Sequence, residues 1–529
     1  MGDDVAEKTA DPPRRRWTLI ALEIVAAFGA MAVMLRWSTG IWVVALERPA
    51  QVSGLASLQL RLMAIAIPLI VALVVTARIK QGRHFEVTSR IACAAFSGLV
   101  TGFVAGGLVL ALKNTPWPLN ADNGDSGQIA AWANGYHFEW VNDYPPSFYP
   151  PLYPWLLSKY MVLTDQPASF ALKDFQILFT AIAGPFSYLA WRLLLRPGWA
   201  LAIGVIAVLC VLEPYKPYGP LALALFVPLI IKFLQILRRA DKHHWFVLLR
   251  LGVVFGAAFG VICLLYSGWF RWSAPGVAIA ALVLFPWRSK AGRKHAVVFG
   301  ASALLAFGLL CFNYVTEIRS VVSRNPSGMA LIQDNYTYFD TDVDPAYVAM
   351  WRGDLPGNVT VWPPPGELGG VGLFTLAVFV GLGISIMFGY RRTVVIAAVL
   401  MLAVLWLQRM WTAHYMFTTK LVALYPRTSI EILYLLVIIT GFAIYYIVES
   451  IARRIPASPL RTPPALIGAL CTLMMLFGSM ASSISDKIQP SPALPLTQGW
   501  LAWQAHMWKK DGTKPMTTPP TWPADRPAP

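Results

Sequence analysis

The sequence predicts an all-α polytopic membrane protein, a bundle of about 13 transmembrane helices with large loops on the extracytoplasmic side. Three observations carry that prediction. Of 529 residues, 57% are hydrophobic and only 13% are charged, about half the charged share of a soluble domain. Apolar runs of roughly 18–25 residues recur along the chain, and that length spans a bilayer core. Lys and Arg gather in alternate connections between those runs, as they do in cytoplasmic loops.

The elements follow in order. Residues 1–16 carry Arg14, Arg15 and Arg16 and form a cytoplasmic tail. The first apolar run, 17–36, is long and has no clear small-residue cleavage site after it, so it reads as an uncleaved first span. Met1-Gly2 lacks the later Ser or Thr that a myristoylation signal requires. Further spans fall at 57–78, 89–112, 175–195, 198–212, 218–237, 245–267, 274–287, 295–315, 369–389, 392–407, 430–449 and 464–484. The fifth and eighth are short enough to be broken or tilted. Inner loops then hold Arg78, Lys80, Arg83 and Arg90; Arg192 and Arg196; Lys232, Arg238, Arg239 and Lys242; Arg288, Lys290, Arg293 and Lys294; Arg391 and Arg392; and Arg453, Arg454 and Arg461. Every inner loop is basic, so the register holds. The membrane domain is 17–485, its outer loops are 113–174, 316–368 and 408–429, and a Pro-rich tail, 486–529, follows outside. The ending TTPPTWPADRPAP reads as disordered.

Composition also excludes. The net charge is +16, and loop topology accounts for it without nucleic acid. All five cysteines lie in apolar runs, which leaves no disulfide framework and no CxxC pair. GxGxxG, Walker A, HExxH and GxSxG patterns are missing from credible contexts, so neither a cytosolic nucleotide site nor a cofactor is expected. Asp340, Asp342 and Asp344 alternate as in a calcium loop but lack the downstream Gly and Glu, so no metal is assigned; Tyr, Trp and Asp there equally suit carbohydrate.

The chemistry-bearing residues fall in the outer segments. Asp122 and Asp125 sit in the turn-prone DNGDSGQ, where an acid beside an apolar surface is placed as a general base. Equally, Asp125 three residues before Gln128 is close to a helix-capping pattern. The segment continues through Gln128, His137, Asp143, Tyr144 and Tyr149, candidate substrate contacts, into YPPSFYPPLYPW. Its prolines forbid a regular helix, its rings suit the headgroup zone, and WLLSKYMVL after Pro154 reads as a short interfacial helix. Glu213, Tyr215 and Lys216 lie in the very short LEPYKPYGP loop, where ionisable groups are functional candidates or snorkelling helix ends. Arg409, His414, Lys420 and Arg427 form an outer basic cluster that suits a phosphate clamp or lipid headgroups.

The order and spacing of GDSGQ, SFYPPLYPW at 147–155, EPY at 213–215 and, more weakly, TTKLVALYPRTS at 418–429 resemble the GT-C glycosyltransferases. More narrowly, over roughly residues 100–450, the chain resembles the membrane arabinofuranosyltransferases of actinobacterial cell-wall synthesis, the galactan 5-O-arabinofuranosyltransferase type. The resemblance implies a GT-C-like bundle in the plasma membrane that takes a pentose from a polyprenyl-phosphate donor, typically decaprenylphosphoryl arabinofuranose. It implies a cell-envelope glycan acceptor, Asp125 as general base with Asp122 as the alternate, and Glu213 and Tyr215 lining the same cavity. Family members usually carry a sizeable folded region after the membrane domain, where this chain has about 45 residues. Three other readings stand beside this one: a polyprenyl-phosphate-hexose (mannose) transferase, a transporter or flippase of a lipid-linked saccharide, and a wall-assembly scaffold. The nearly clean mid-span runs count against the transporter.

Overall fold

The computed structural model describes residues 13–79, 82–138, 149–324, 373–419, 425–455, 463–493 and 497–508. Regular structure among them is helical. The long helices are α1 (Pro13–Thr39), α2 (Arg48–Arg78) and α3 (Gly82–Ala111). Three that lead into the site follow: α4 (Gly124–Phe138), α5 (Leu152–Thr164) and α6 (Ala168–Trp191). Next come α7 (Pro197–Cys210), α8 (Tyr218–Arg238), α9 (Trp245–Leu265) and α10 (Gly268–Leu284). The chain closes with α11 (Lys290–Arg324), α12 (Leu373–Gly389), α13 (Thr393–Thr419), α14 (Tyr425–Arg454), α15 (Pro463–Asp486) and α16 (Gln498–Met507).

Each predicted apolar run falls on one of these helices. Eight of them, α1, α2, α3, α8, α9, α11, α13 and α14, are long and apolar enough to cross a membrane. The protein is therefore a polytopic helical membrane protein; among the described residues eight helices reach full span length by that measure, fewer than the thirteen spans the sequence predicts. The predicted short fifth span is α7, interrupted by a π turn over Ala200–Val205 where Gly204 lies against the Trp191 ring. Pro185, Pro228 and Pro275 sit inside α6, α8 and α10.

α3 is the hub. Its apolar window is 94% buried, and it packs on α1, α2 and α6. Small residues make that possible: a Cβ on Gly98 would fall onto the Ala27 carbonyl of α1, and one on Gly184 of α6 would fall onto the Ser97 carbonyl of α3. α9 pairs with α11, α10 with α13, and α12 with α14. On the outer faces Val25, Leu60, Val71, Leu304 and Leu309 are exposed, surface that only lipid covers without cost.

Two segments differ from the sequence reading. The stretch 408–429 gives residues 408–419 to α13 and 425–429 to α14, because polar residues continue an established helix when it packs against a neighbour. Part of the Pro-rich tail is also built in. Residues 487–493 and α16 pack on the end of α3: the Gln489 side chain donates to the Gly107 carbonyl, the Thr115 hydroxyl to the Ala505 carbonyl, and Trp117 meets Trp508 at 5.3 Å. The ending TTPPTWPADRPAP lies outside the described residues, as do most of 316–368 and the acids at 340–344.

Ionisable groups inside spans are a further difference. Glu23 of α1 is 2% exposed and takes a two-pronged pair from Arg192 (Nε to Oε2 2.8 Å, Nη2 to Oε1 3.1 Å), with Arg90 at 3.5 Å. The Tyr188 hydroxyl adds a bond of 3.3 Å. This knot ties α1, α3 and α6 together at the end of the bundle away from the short 211–217 loop.

Candidate active-site cleft

The cleft forms where the loop before α4, the short loop 211–217 and the start of α14 meet. The loop before α4 is the most constrained backbone in this region. Asn120 and Ala121 have φ of 66° and 50°, and Gly124 has 53°. The left-handed region costs a non-glycine residue about 1–2 kcal/mol, and such strain persists where surroundings over-determine it. Here they do. The Asn120 N–H donates to the Leu501 carbonyl of α16 at 2.9 Å, and its side chain donates to the Tyr215 hydroxyl at 3.3 Å. Gln176 of α6 clamps the same loop: its Oε1 accepts from Leu119 N–H at 2.9 Å, and its Nε2 donates to the Tyr215 carbonyl at 3.2 Å.

That scaffold sets Asp125 in the first turn of α4, one position past Gly124, so it is not the residue that caps the helix. Its carboxylate is ion-paired with Lys216. Tyr215, beside that lysine, accepts from Asn120 and from the Ser126 N–H at 3.3 Å. Burial, then the Asp125 charge, push the Tyr215 hydroxyl above its usual range, so it keeps its proton and stays a hydrogen-bond donor. Glu213, at the head of the same loop, pairs with Arg427 at 3.6 Å. Asp125 also lies within electrostatic reach of Arg427. The cleft between these groups is walled by Tyr218, Tyr266 and Trp269.

An aromatic ladder continues outward from that wall. Tyr266 packs on Trp269 at 4.8 Å, Tyr218 on Tyr153 at 4.4 Å, and Tyr149 on Trp132 at 4.4 Å with planes 35° apart. Trp132 is two turns along α4 from Asp125, hence on the same face. α5 supports the ladder by burying Tyr153, Leu157 and Met161, a one-face spacing that matches the short helix predicted after Pro154.

Of the residues singled out from sequence, Asp125, Glu213, Tyr215, Lys216, Arg427 and Tyr149 gather here. Asp122 is exposed and accepts from the Ser169 hydroxyl at 3.0 Å. Gln128 and His137 lie exposed along α4. Arg409 is displaced from the expected basic cluster. It is 2% exposed inside the bundle and donates to the Ser429 hydroxyl at 2.9 Å and to that of Thr428. His414 is exposed on α13 against Tyr415. Asp143, Tyr144 and Lys420 lie outside the described residues. Among the described residues, no three His, Cys, Asp or Glu side chains lie close enough to hold a metal ion.

Sequence reasoning passed over Asn120, Gln176, Trp132 and Glu431. Glu431 is one helical turn beyond Arg427 and fully buried. The Ser273 hydroxyl donates to its Oε1, and its Oε2 has no partner among the described residues. A glutamine and a glutamate inside apolar runs were the available signal.

α16, which holds Asn120 through Leu501, also carries a half-buried histidine. The His506 Nε2 lies 2.8 Å from the Ala111 carbonyl. Burial lowers the His506 pKa from 6.5, the carbonyl bond offsets part of that, and Lys173 lowers it further. A depressed folded pKa means stability is fully present above about pH 6.5 and is lost as pH falls through the folded value. We expect the melting temperature of the wild type to drop on acidification below pH 6.5 and that of His506→Gln, which keeps an N–H for the carbonyl, to drop less.

No family model matches the chain. A stretch of 154 residues is 29% identical to the galactan 5-O-arabinofuranosyltransferase of Mycobacterium tuberculosis, in strains CDC 1551 / Oshkosh and ATCC 25618 / H37Rv alike. The stretch is 29% of this chain and 23% of the relative, so the chain spans about a quarter of the length of the curated relatives it matches. With the apolar helices, this likeness supports a helical membrane protein distantly related to a glycosyltransferase.

Proposed function

We propose that the protein is a GT-C-type glycosyltransferase that moves a pentose, arabinofuranose, from a polyprenyl-phosphate donor to a cell-envelope glycan. The observation that carries this reading is the convergence of Asp125, Lys216 and Arg427 at one aromatic-walled cleft. In the plasma membrane the N-terminus would be cytoplasmic and this cleft extracytoplasmic. Thirteen spans, the eight long helices with α6, α7, α10, α12 and α15 added, would keep every basic inner loop on the opposite side.

The reaction needs one base and one cation site. Asp125 takes the proton of an acceptor hydroxyl as that oxygen bonds to the anomeric carbon. The bond from that carbon to the lipid-phosphate oxygen breaks, and its electron pair stays on the phosphate. Lys216 and Arg427 meet the negative charge left there. A single displacement inverts the anomeric carbon. Donor phosphate drawn to Lys216 would loosen its pair with Asp125 and free the base as the substrate arrives. Trp132 and Tyr149 offer flat apolar faces for an acceptor sugar ring.

The test is transfer by the purified full chain from radiolabelled polyprenyl-phosphate arabinofuranose and, in parallel, polyprenyl-phosphate mannose. Arabinose transfer is expected; mannose transfer alone would overturn the sugar. Buried Glu431 favours one other reading, a transporter of lipid-linked saccharide, since such proteins keep carboxylates inside spans. Label crossing a liposome bilayer without transfer would establish it.

A further inference from the structure

A second cavity among the described residues lies far from this cleft. It measures about 580 Å³ and lies between the start of α9 and the start of α11. Trp245 forms one wall; Ala291, His295 and Val298 form the other, with Lys290 and Lys294 at its rim. Both helices are candidate spans, and the cavity sits where each begins. α9 ends at Leu265, next to Tyr266 and Trp269 of the cleft. Its 21 residues therefore separate the two sites by about 30 Å.

We infer that this cavity binds the headgroup and upper acyl chain of an anionic phospholipid. Position, charge and wall chemistry agree. A cavity at the head of two spans lies at headgroup depth, where Trp rings settle. Lys290 and Lys294 are one helical turn apart on α11, and Ala291, His295 and Val298 form the adjacent row of the same helix along the cavity. The two lysines are exposed and turn cationic heads to the rim. His295 is oriented by its Nδ1, 3.2 Å from the Ala240 carbonyl, which leaves Nε2 away from that bond. The N-terminal turn of α11 is already capped, since Ser289 Oγ accepts from Gly292 N–H at 3.0 Å, so the lysines and not the helix end supply the attraction. Beside the lysines, Val298, Ala291 and the Trp245 ring give an apolar wall suited to an acyl chain and not to a free ion. Basic pockets between spans select anionic headgroups in this way.

The experiment uses the full chain in detergent. Melting temperature is measured with added phosphatidylglycerol, with phosphatidylcholine of the same chains, and with inorganic phosphate. Phosphatidylglycerol is expected to raise it by several degrees over the other two. Lys290→Ala/Lys294→Ala should need roughly tenfold more phosphatidylglycerol for the same rise. Val298→Trp, which fills the wall without touching charge, should also weaken it. Arg453→Ala/Arg454→Ala, which removes equal charge outside the cavity, should behave as wild type. An equal rise with inorganic phosphate, or an unchanged response in both cavity variants, overturns the inference whatever the outcome of the transfer assay.

Discussion

Asp125→Asn should lower kcat for transfer by about 10²–10⁴-fold, the range for losing a positioned general base, while Asp122→Asn stays within a few-fold of wild type. Asparagine keeps the shape of the side chain and still accepts a hydrogen bond from Lys216, but it cannot take a proton. The two aspartates are three residues apart, yet the turn at Asn123–Gly124 sends them to different surroundings. Asp125 faces Lys216 and the cleft, whereas Asp122 is exposed beside Ser169. The Asp125–Lys216 side chains are 32% and 16% exposed, so losing the pair costs about 1 kcal/mol or less. A melting temperature near that of wild type therefore accompanies the lost activity and separates chemistry from unfolding. Activity lost in Asp122→Asn but kept in Asp125→Asn would exchange their roles. Activity kept in both would leave Asp125 as an acid favourable to the first turn of α4.

Glu23→Ala should cost about 3–5 kcal/mol of stability, the range for breaking a buried ion pair from one side. The cost comes from what stays behind. Arg192 and Arg90 lose their shared counter-charge, and the Tyr188 hydroxyl loses its acceptor. Glu23→Gln should recover part of the loss through hydrogen bonding alone. Denaturation midpoints of the detergent-purified variants read this directly, and a change under about 1 kcal/mol would show the knot to be incidental. Because the knot lies at the far end of α3 from Asp125, the folded fraction of either variant should keep the wild-type KM.

What the sequence makes legible is set by periodicity and length. Apolar runs mark helices because a bilayer demands about 20 such residues in a row, and among the described residues each of those runs lies mainly on a helix. Helix ends are less legible. At Gln408–Thr419 the run turns polar while the helix continues, since Arg409 finds Thr428 and Ser429 on α14 rather than water. Half of the cleft was readable because DNGDSGQ and LEPYKPYGP each place charge and rings in short polar segments. Their meeting was not, since the Asp125–Lys216 pair joins positions with no local signal of contact. Gln176 and Glu431 were hidden in apolar stretches, where a single polar letter barely alters hydropathy. α16 was masked by its proline-rich surroundings.

The dependence of the Asn120 loop on α16 also fixes an order of events during synthesis. The Thr115 hydroxyl reaches a carbonyl 390 residues further along the chain, and Asn120 waits for Leu501 in the same way. At about 5–20 residues per second, a ribosome delivers that partner tens of seconds after the loop itself emerges. Until then Asp125 sits on an unbuttressed turn. A nascent chain would thus enter the bilayer with its chemistry unassembled, and the cleft would become competent only after Leu501 and Ala505 had been made.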